Sequence, residues 1–176
     1  MSFVQQVEES EAGDQLTPIY QKIREGFGFV PNYFKALGPR PELILTHLEL
    51  GERITQDGAL PRAVKERLGL VVSGINSSSY CVAVHMEVLR KLGVEKSLGR
   101  TLAVNYPKAP ADEREQALYR FADKLTTKPG DVGQADIDAL KQVGWDDPAV
   151  VETVLAVAYF NFINRVSLGL GLMADF

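Results

Sequence analysis

Between Val150 and Phe162 the chain is apolar almost all the way round a helix. Such a helix has no face to give to water, so it belongs in the centre of a core or in a subunit interface. The stretch is too short to cross a bilayer. It also carries Glu152 and Asn161, and Asn164 and Arg165 follow directly. With 176 residues and 45% hydrophobic composition, the remainder can enclose such a helix in one domain without disulfides or structural metal.

The other apolar positions also recur at helical spacing, between proline starts and glycine stops. Thr17-Pro18 opens a short amphipathic helix through Ile19, Tyr20 and Ile23, ending near Gly26. Pro31 opens a piece with Tyr33, Phe34 and Leu37, and Gly38 closes it. Pro41 begins a longer helix through Leu43, Ile44, Leu48 and Ile54; Pro61 begins another through Val64, Leu68, Val71 and Val72. The run Asn76-Ser77-Ser78-Ser79 is a turn and a helix start together, because its side chains can satisfy the first free N–H groups of a helix over about 78–92. Val94 to Ala111, with Pro107 and Pro110, reads as a connector. Asp112 caps a helix bearing Ala117, Leu118, Phe121 and Leu125, a shorter one carries Ile137, Leu140 and Val143, and Asp147-Pro148 opens the last, to about Gly169. There is no alternating run of strand length and no internal repeat. The fold class is therefore all-α: a helical bundle over residues 40–176 with an N-terminal helical arm, residues 1–39, packed on it.

Composition removes whole classes of function. A net charge of −4 offers no electrostatic footprint for nucleic acid. Met1 to Gly13 is polar and acidic, unlike a signal peptide, so no membrane partner is expected. The one cysteine, Cys81, cannot form an internal disulfide, which favours a reducing, cytoplasmic setting. Two histidines and one thiol make a zinc site improbable, and no glycine-rich phosphate loop is present, so no metal and no cofactor are expected.

What chemistry remains centres on Cys81. A lone cysteine is often just a small buried apolar residue. Here it falls in the first turn of a helix, where the positive end of the dipole favours a thiolate. His85, four residues on, and Ser78, three before, share its face. The imidazole serves either as a base for the thiol or as a half-buried structural group. Glu66 lies on the preceding helix within Lys65-Glu66-Arg67, which looks like an exposed charged triplet, and spacing alone does not bring it to His85. Tyr80, Asn76, Asn164 and Arg165 are further polar handles and candidates for a pocket wall, although Tyr80 reads first as core and Arg165 also as a buried, paired cation or the exit of its helix to water. His47, between Thr46 and Leu48, reads first as packing and second as part of a pocket wall.

Glu66 followed by "LVVSGINSSSYCVAVH" resembles the core of the alkylhydroperoxidase AhpD / carboxymuconolactone decarboxylase superfamily. That family's pattern is a glutamate, then Cys-x-x-Cys-x-x-x-His at the start of the next helix. "PNYFKAL" and "FNFINRVSLGLG" are similar to its longer, uncharacterised peroxidase-related branch, so the resemblance covers about Phe27 to Gly171. It implies that Cys81 is a nucleophile attacking a small-molecule hydroperoxide, with Glu66 and His85 as proton relay. The family's first, resolving cysteine falls on Ser78, so reduction needs an external thiol or redoxin, and Ser78 is left the catalytic part of hydrogen-bonding the Cys81 thiolate or sulfenate. The resemblance equally admits a non-redox lyase like the lactone decarboxylases, with an anion pocket at Arg165 or Arg53, or a binding or structural member whose site has decayed. Homo-oligomers are usual in this family.

Overall fold

The computed structural model describes residues 2–175; Met1 and Phe176, the outer ends of the arm and the bundle, lie outside the described residues. Among the described residues there are nine α-helices and no strand. The helices are α1 (Leu16–Phe27), α2 (Asn32–Leu37), α3 (Pro41–Thr55), α4 (Arg62–Ile75), α5 (Ser79–Lys91), α6 (Lys96–Asn105), α7 (Glu113–Thr127), α8 (Gln134–Gln142) and α9 (Asp147–Gly169).

The most enclosed element is α4, which packs on α5, α6, α7 and α9 at once. Leu68, Leu70, Val71 and Val72 on it are essentially sealed from water. Close approach to α6 depends on Gly74: a Cβ there would lie 1.9 Å from the Ala103 carbonyl oxygen. Because α4 has neighbours on every side, the triplet Lys65-Glu66-Arg67 is not a solvated face. Lys65 and Glu66 are buried. The Lys65 ammonium donates to the Gln56 carbonyl at 2.7 Å and meets Glu152 at 2.9 Å, and Arg67 forms a bidentate pair with Glu115 at 2.6 and 2.7 Å.

The last helix is central on one side only. Thr153, Ala156, Val157, Phe160 and Asn164 face the core. Val151, Leu155 and Phe162, at 56%, 49% and 52% exposed, form an apolar stripe on the other. By length and composition α9 also qualifies as a membrane-crossing helix, with mean hydropathy 1.3 over its most apolar window, and it packs on α3, α4, α5, α7 and α8.

Helix starts fall near the expected places. Asp112 accepts from the Glu115 N–H at 2.9 Å. The α9 cap is Asp146, one residue before the expected aspartate, accepting from the Ala149 N–H at 3.0 Å. The supposed connector after Val94 is mostly helix α6. Leu98 and Leu102 give it an apolar stripe at i, i+4, and Pro107 sits in the first turn of a 3₁₀ piece, Tyr106–Lys108, where its missing N–H costs nothing.

The N-terminal segment forms a second core. Ile19, Tyr20 and Ile23 of α1 and Tyr33 and Phe34 of α2 pack with Ile44, Tyr80, Cys81 and Leu172. That cluster covers the N-terminal turn of α5, and the site lies beneath it.

Candidate active site

The turn between α4 and α5 is tight. Ser77 takes a left-handed conformation, φ 56°, and the Ser78 N–H donates to the Ser73 carbonyl at 2.9 Å. This folds α5 back along α4 and sets Glu66 against His85. The His85 Nδ1–H donates to Glu66 Oε2 at 2.7 Å, with both side chains buried. With Nδ1 committed to the carboxylate, the neutral ring keeps its lone pair on Nε2. The Arg62 guanidinium stands 3.7 Å from the other Glu66 oxygen, so the buried carboxylate is paired on both sides.

Two further contacts fix the imidazole. Phe160 meets it edge to face at a centroid distance of 4.7 Å. Gly69 lies flat beneath it, and a Cβ there would fall 2.4 Å from Cε1 and 2.6 Å from Nε2.

Cys81 is 2% exposed, one turn before His85 on the same helix. Its thiol donates to Ser167 Oγ of α9 at 3.5 Å; a thiolate would instead accept from that hydroxyl. Both Cys81 and His85 line a cavity of about 180 Å³. Thiol and imidazole thus open on one space, with the imidazole held from behind by the Glu66 carboxylate, an arrangement that suits a nucleophile beside a positioned base. Ser78 is fully buried one turn before Cys81, does not line the cavity, and its Oγ has no hydrogen-bond partner, so it is not the side-chain cap expected of it.

Of the expected pocket residues, Tyr80 lines the cavity. Its hydroxyl donates to Asp175 Oδ2 at 2.9 Å and accepts from the Tyr33 N–H at 3.3 Å. Burial and the Asp175 carboxylate push it well above the ordinary tyrosine range. Asn76, Asn164 and Arg165 do not line it. Asn76 donates to Asn161 and Asn164 at 2.9 and 3.0 Å, Asn164 donates to Ser73 at 3.1 Å, and Arg165 donates to Asn161 Oδ1 at 2.6 Å. The amides satisfy one another and tie the end of α4 to α9. Among the described residues no cluster of three or more acidic, histidine or cysteine side chains suits a metal ion.

Sequence reasoning missed Ser167, Gly69, Tyr33 and Asp175, and put His47 first in the packing, with the pocket wall as its lesser alternative. His47 in fact lines the cavity, and its Nε2 shares a hydrogen bond with the Tyr159 hydroxyl at 3.1 Å. Burial pushes the His47 pKa down from 6.5 to about 4. The unfolded chain therefore binds more protons than the folded one between those values. The His47 contribution to stability is complete above pH 6.5 and is lost as pH falls toward 4. Urea midpoints measured across that window should fall less steeply for His47→Gln than for the wild type; equal slopes would show that His47 is not held neutral.

The fold and site define a class: an all-α bundle in which a cysteine and a histidine on one helix face a cavity, the histidine held by a buried glutamate of the helix before it. Comparison with known proteins narrows the class. Residues 41–123 match the Carboxymuconolactone decarboxylase family. An uncharacterised peroxidase-related protein from Ralstonia eutropha JMP134, described as an alkylhydroperoxidase AhpD core, superposes with a TM-score of 0.90 at 27% identity over 99% of this chain and 92% of its own. A second peroxidase-related protein, from Silicibacter sp. TM1040, gives 0.87 at 27% identity over 93% and 86%. The debrominase Bmp8, in its complex with 2,3,4-tribromopyrrole, shares the fold, with a TM-score of 0.82 at 21% identity over 99% and 92%. In its fold, and in sequence over residues 41–123, the chain is similar to the alkylhydroperoxidase AhpD / carboxymuconolactone decarboxylase superfamily.

Proposed function

We propose that this chain is a one-cysteine thiol peroxidase that draws its electrons from an external thiol. The supporting observation is that Cys81 and His85 open on the same cavity, with His85 oriented by a buried hydrogen bond to Glu66. His85 takes the thiol proton. The Cys81 thiolate attacks the terminal oxygen of the hydroperoxide, an S–O bond forms as the O–O bond breaks, and the leaving alkoxide takes the proton back from the imidazolium. The products are an alcohol and Cys81 sulfenic acid. A small-molecule thiol or redoxin condenses with the sulfenic acid, releasing water, and a second thiol then attacks the outer sulfur of the mixed disulfide, so that an external disulfide leaves and the Cys81 thiol is restored. Ser78 cannot take either part, because it carries no sulfur. A cytoplasmic setting, where thiols stay reduced, fits this cycle.

The lyase reading needs a cation for an anionic substrate. Arg165 is bonded to Asn161 outside the cavity, and Arg53 pairs with Glu49. The cationic side chain on the cavity is Lys91, beside Glu87. The α9 stripe of Val151, Leu155 and Phe162 suits a second copy of the chain. Light scattering should therefore give a mass above one chain, and a clean monomer removes that assembly.

Stopped-flow mixing with alkyl and aryl hydroperoxides, followed by dimedone trapping and mass spectrometry, tests the peroxidase reading. It should yield one sulfenic acid, at Cys81. A rate no higher than that of a free small-molecule thiol overturns the proposal.

A further inference from the structure

The cavity over Cys81 has features that a general hydroperoxide site does not need. Its walls are largely aromatic: Phe27, Phe29, Tyr33, His47, Tyr80 and Tyr159. Several of these already stand ring to ring. Tyr33 lies 5.2 Å from His47 and 6.4 Å from Tyr80, and His47 lies 5.4 Å from Tyr159. Phe27 and Phe29 remain 42% and 38% exposed at the mouth, apolar surface that an occupant would cover.

Size sets a limit. A dry apolar cavity of about 150 Å³ holds benzene, so about 180 Å³ accommodates one ring with a short substituent. Charge sets another. His47 is neutral above about pH 4. Asp175 and Glu87 line the same space with Lys91, so an anionic ligand meets two carboxylates for one ammonium.

One polar group there is unused. Tyr33 is 5% exposed, and its hydroxyl, buried from water, has no hydrogen-bond partner. A buried hydroxyl left without a partner is costly unless something else supplies an acceptor. The neighbourhoods of Tyr159 and Cys81 reach this hydroxyl: their charged forms, after burial itself, push its titration far above the ordinary tyrosine range, so it remains a donor at any physiological pH.

We propose that the cavity is a single-ring site for a compact, uncharged aryl-alkyl hydroperoxide, with the Tyr33 hydroxyl donating a hydrogen bond to the oxygen that leaves. The chemistry rests on the peroxidase reading above; the shape and polarity of the site do not. The ring stacks among the aromatic walls and its terminal peroxide oxygen meets the Cys81 sulfur. As the S–O bond forms and the O–O bond breaks, sulfur is oxidised and the peroxide reduced. The developing alkoxide accepts from Tyr33 and takes its proton from the His85 imidazolium. Tyr33 keeps its own proton throughout.

Two measurements test this separately from the peroxidase reading. The first is binding of 2-phenylpropan-2-ol, the unreactive alcohol product of cumene hydroperoxide, to the Cys81→Ser protein by calorimetry or ligand-observed NMR, against tert-butanol, which lacks the ring. Burying a ring should make the aryl alcohol bind at least about tenfold more tightly. The second is the rate of Cys81 oxidation by cumene hydroperoxide against tert-butyl hydroperoxide, with the same preference expected. Tyr33→Phe should slow the cumene reaction by about five- to tenfold, the worth of one neutral hydrogen bond, and leave alkylation of Cys81 by iodoacetamide unchanged.

Equal rates for both hydroperoxides, with no preference for the aryl alcohol, overturn the ring site and leave the peroxidase reading standing. Saturable binding of the aryl alcohol with no reaction toward any hydroperoxide removes the peroxidase reading and, with it, the hydroperoxide as occupant. Parallel loss of peroxide and iodoacetamide reactivity in Tyr33→Phe overturns the role of Tyr33, since it would then act on the sulfur rather than on the leaving oxygen.

Discussion

Cys81→Ser is expected to abolish peroxide turnover, while His85→Asn and Glu66→Gln each lower it by about 10²- to 10⁴-fold, the usual worth of a positioned proton-transfer group. The three differ in kind. Serine removes the sulfur that is oxidised, so nothing remains to carry the reaction. Asparagine at 85 removes the base but leaves the thiol in place. Glutamine at 66 leaves the base but replaces the acceptor that fixes its tautomer, and the Arg62 guanidinium, 3.7 Å away, loses its counter-charge. Because Glu66 acts only through His85, the double variant should be about as slow as the worse single one rather than the product of both. Second-order rate constants for sulfenic acid formation settle this. Multiplying losses would show that Glu66 and His85 act independently. Ser78→Ala serves as the control: its buried Oγ has no partner, so the rate should stay near wild type.

The α-helical class and most helix starts could be read from the sequence, because proline, aspartate and glycine act over one turn and need no tertiary context. The cysteine and histidine on one face were legible for the same reason: four residues make one turn. The segment after Val94 was misread because its two prolines are a strong local signal, while α6 is only ten residues long, Lys96–Asn105, with the short stripe of Leu98 and Leu102 as its apolar pattern. Burial of Lys65 and Glu66 was illegible in principle. A charged triplet reads as surface unless the helix is covered on all sides, and that is a property of α5, α6, α7 and α9, not of α4. The Glu66–His85 bond likewise depends on how two helices pack. Ser167 reaches Cys81 from 86 residues away, and the cavity walls come from α1, α2, α3, α5 and α9 and the segment between α1 and α2, together with Asp175. Asn164 and Arg165 were polar residues on an apolar helix, and such residues satisfy each other as readily as they line a pocket.

Gly69→Ala carries the second large effect, and its sign is what makes it informative. In a helix interior, glycine to alanine normally stabilises by about 0.5–1 kcal/mol, because the unfolded chain loses freedom and nothing is disturbed. Gly26, in α1, is such a position, with nothing within 4 Å of a built Cβ, and Gly26→Ala should show that gain. At Gly69 the same methyl lies 2.4 Å from His85 Cε1 and 2.7 Å from Nδ1. The ring has no free direction in which to yield: Glu66 holds Nδ1 on one side and Phe160 meets it edge-on. Either the helices part or the ring turns and leaves the Glu66 carboxylate with Arg62 alone. Overpacking of this kind costs about 1–3 kcal/mol, which for a chain of this length lowers the melting temperature by several degrees. Because the displaced group is the imidazole, peroxide turnover should fall about as far as in His85→Asn, although no reacting atom has been changed. Calorimetry on both glycine variants with peroxide kinetics on Gly69→Ala decides the point. A stable Gly69→Ala protein with wild-type rates would mean that His85 has room to move, and that its bond to Glu66 is not what fixes the ring for the reaction.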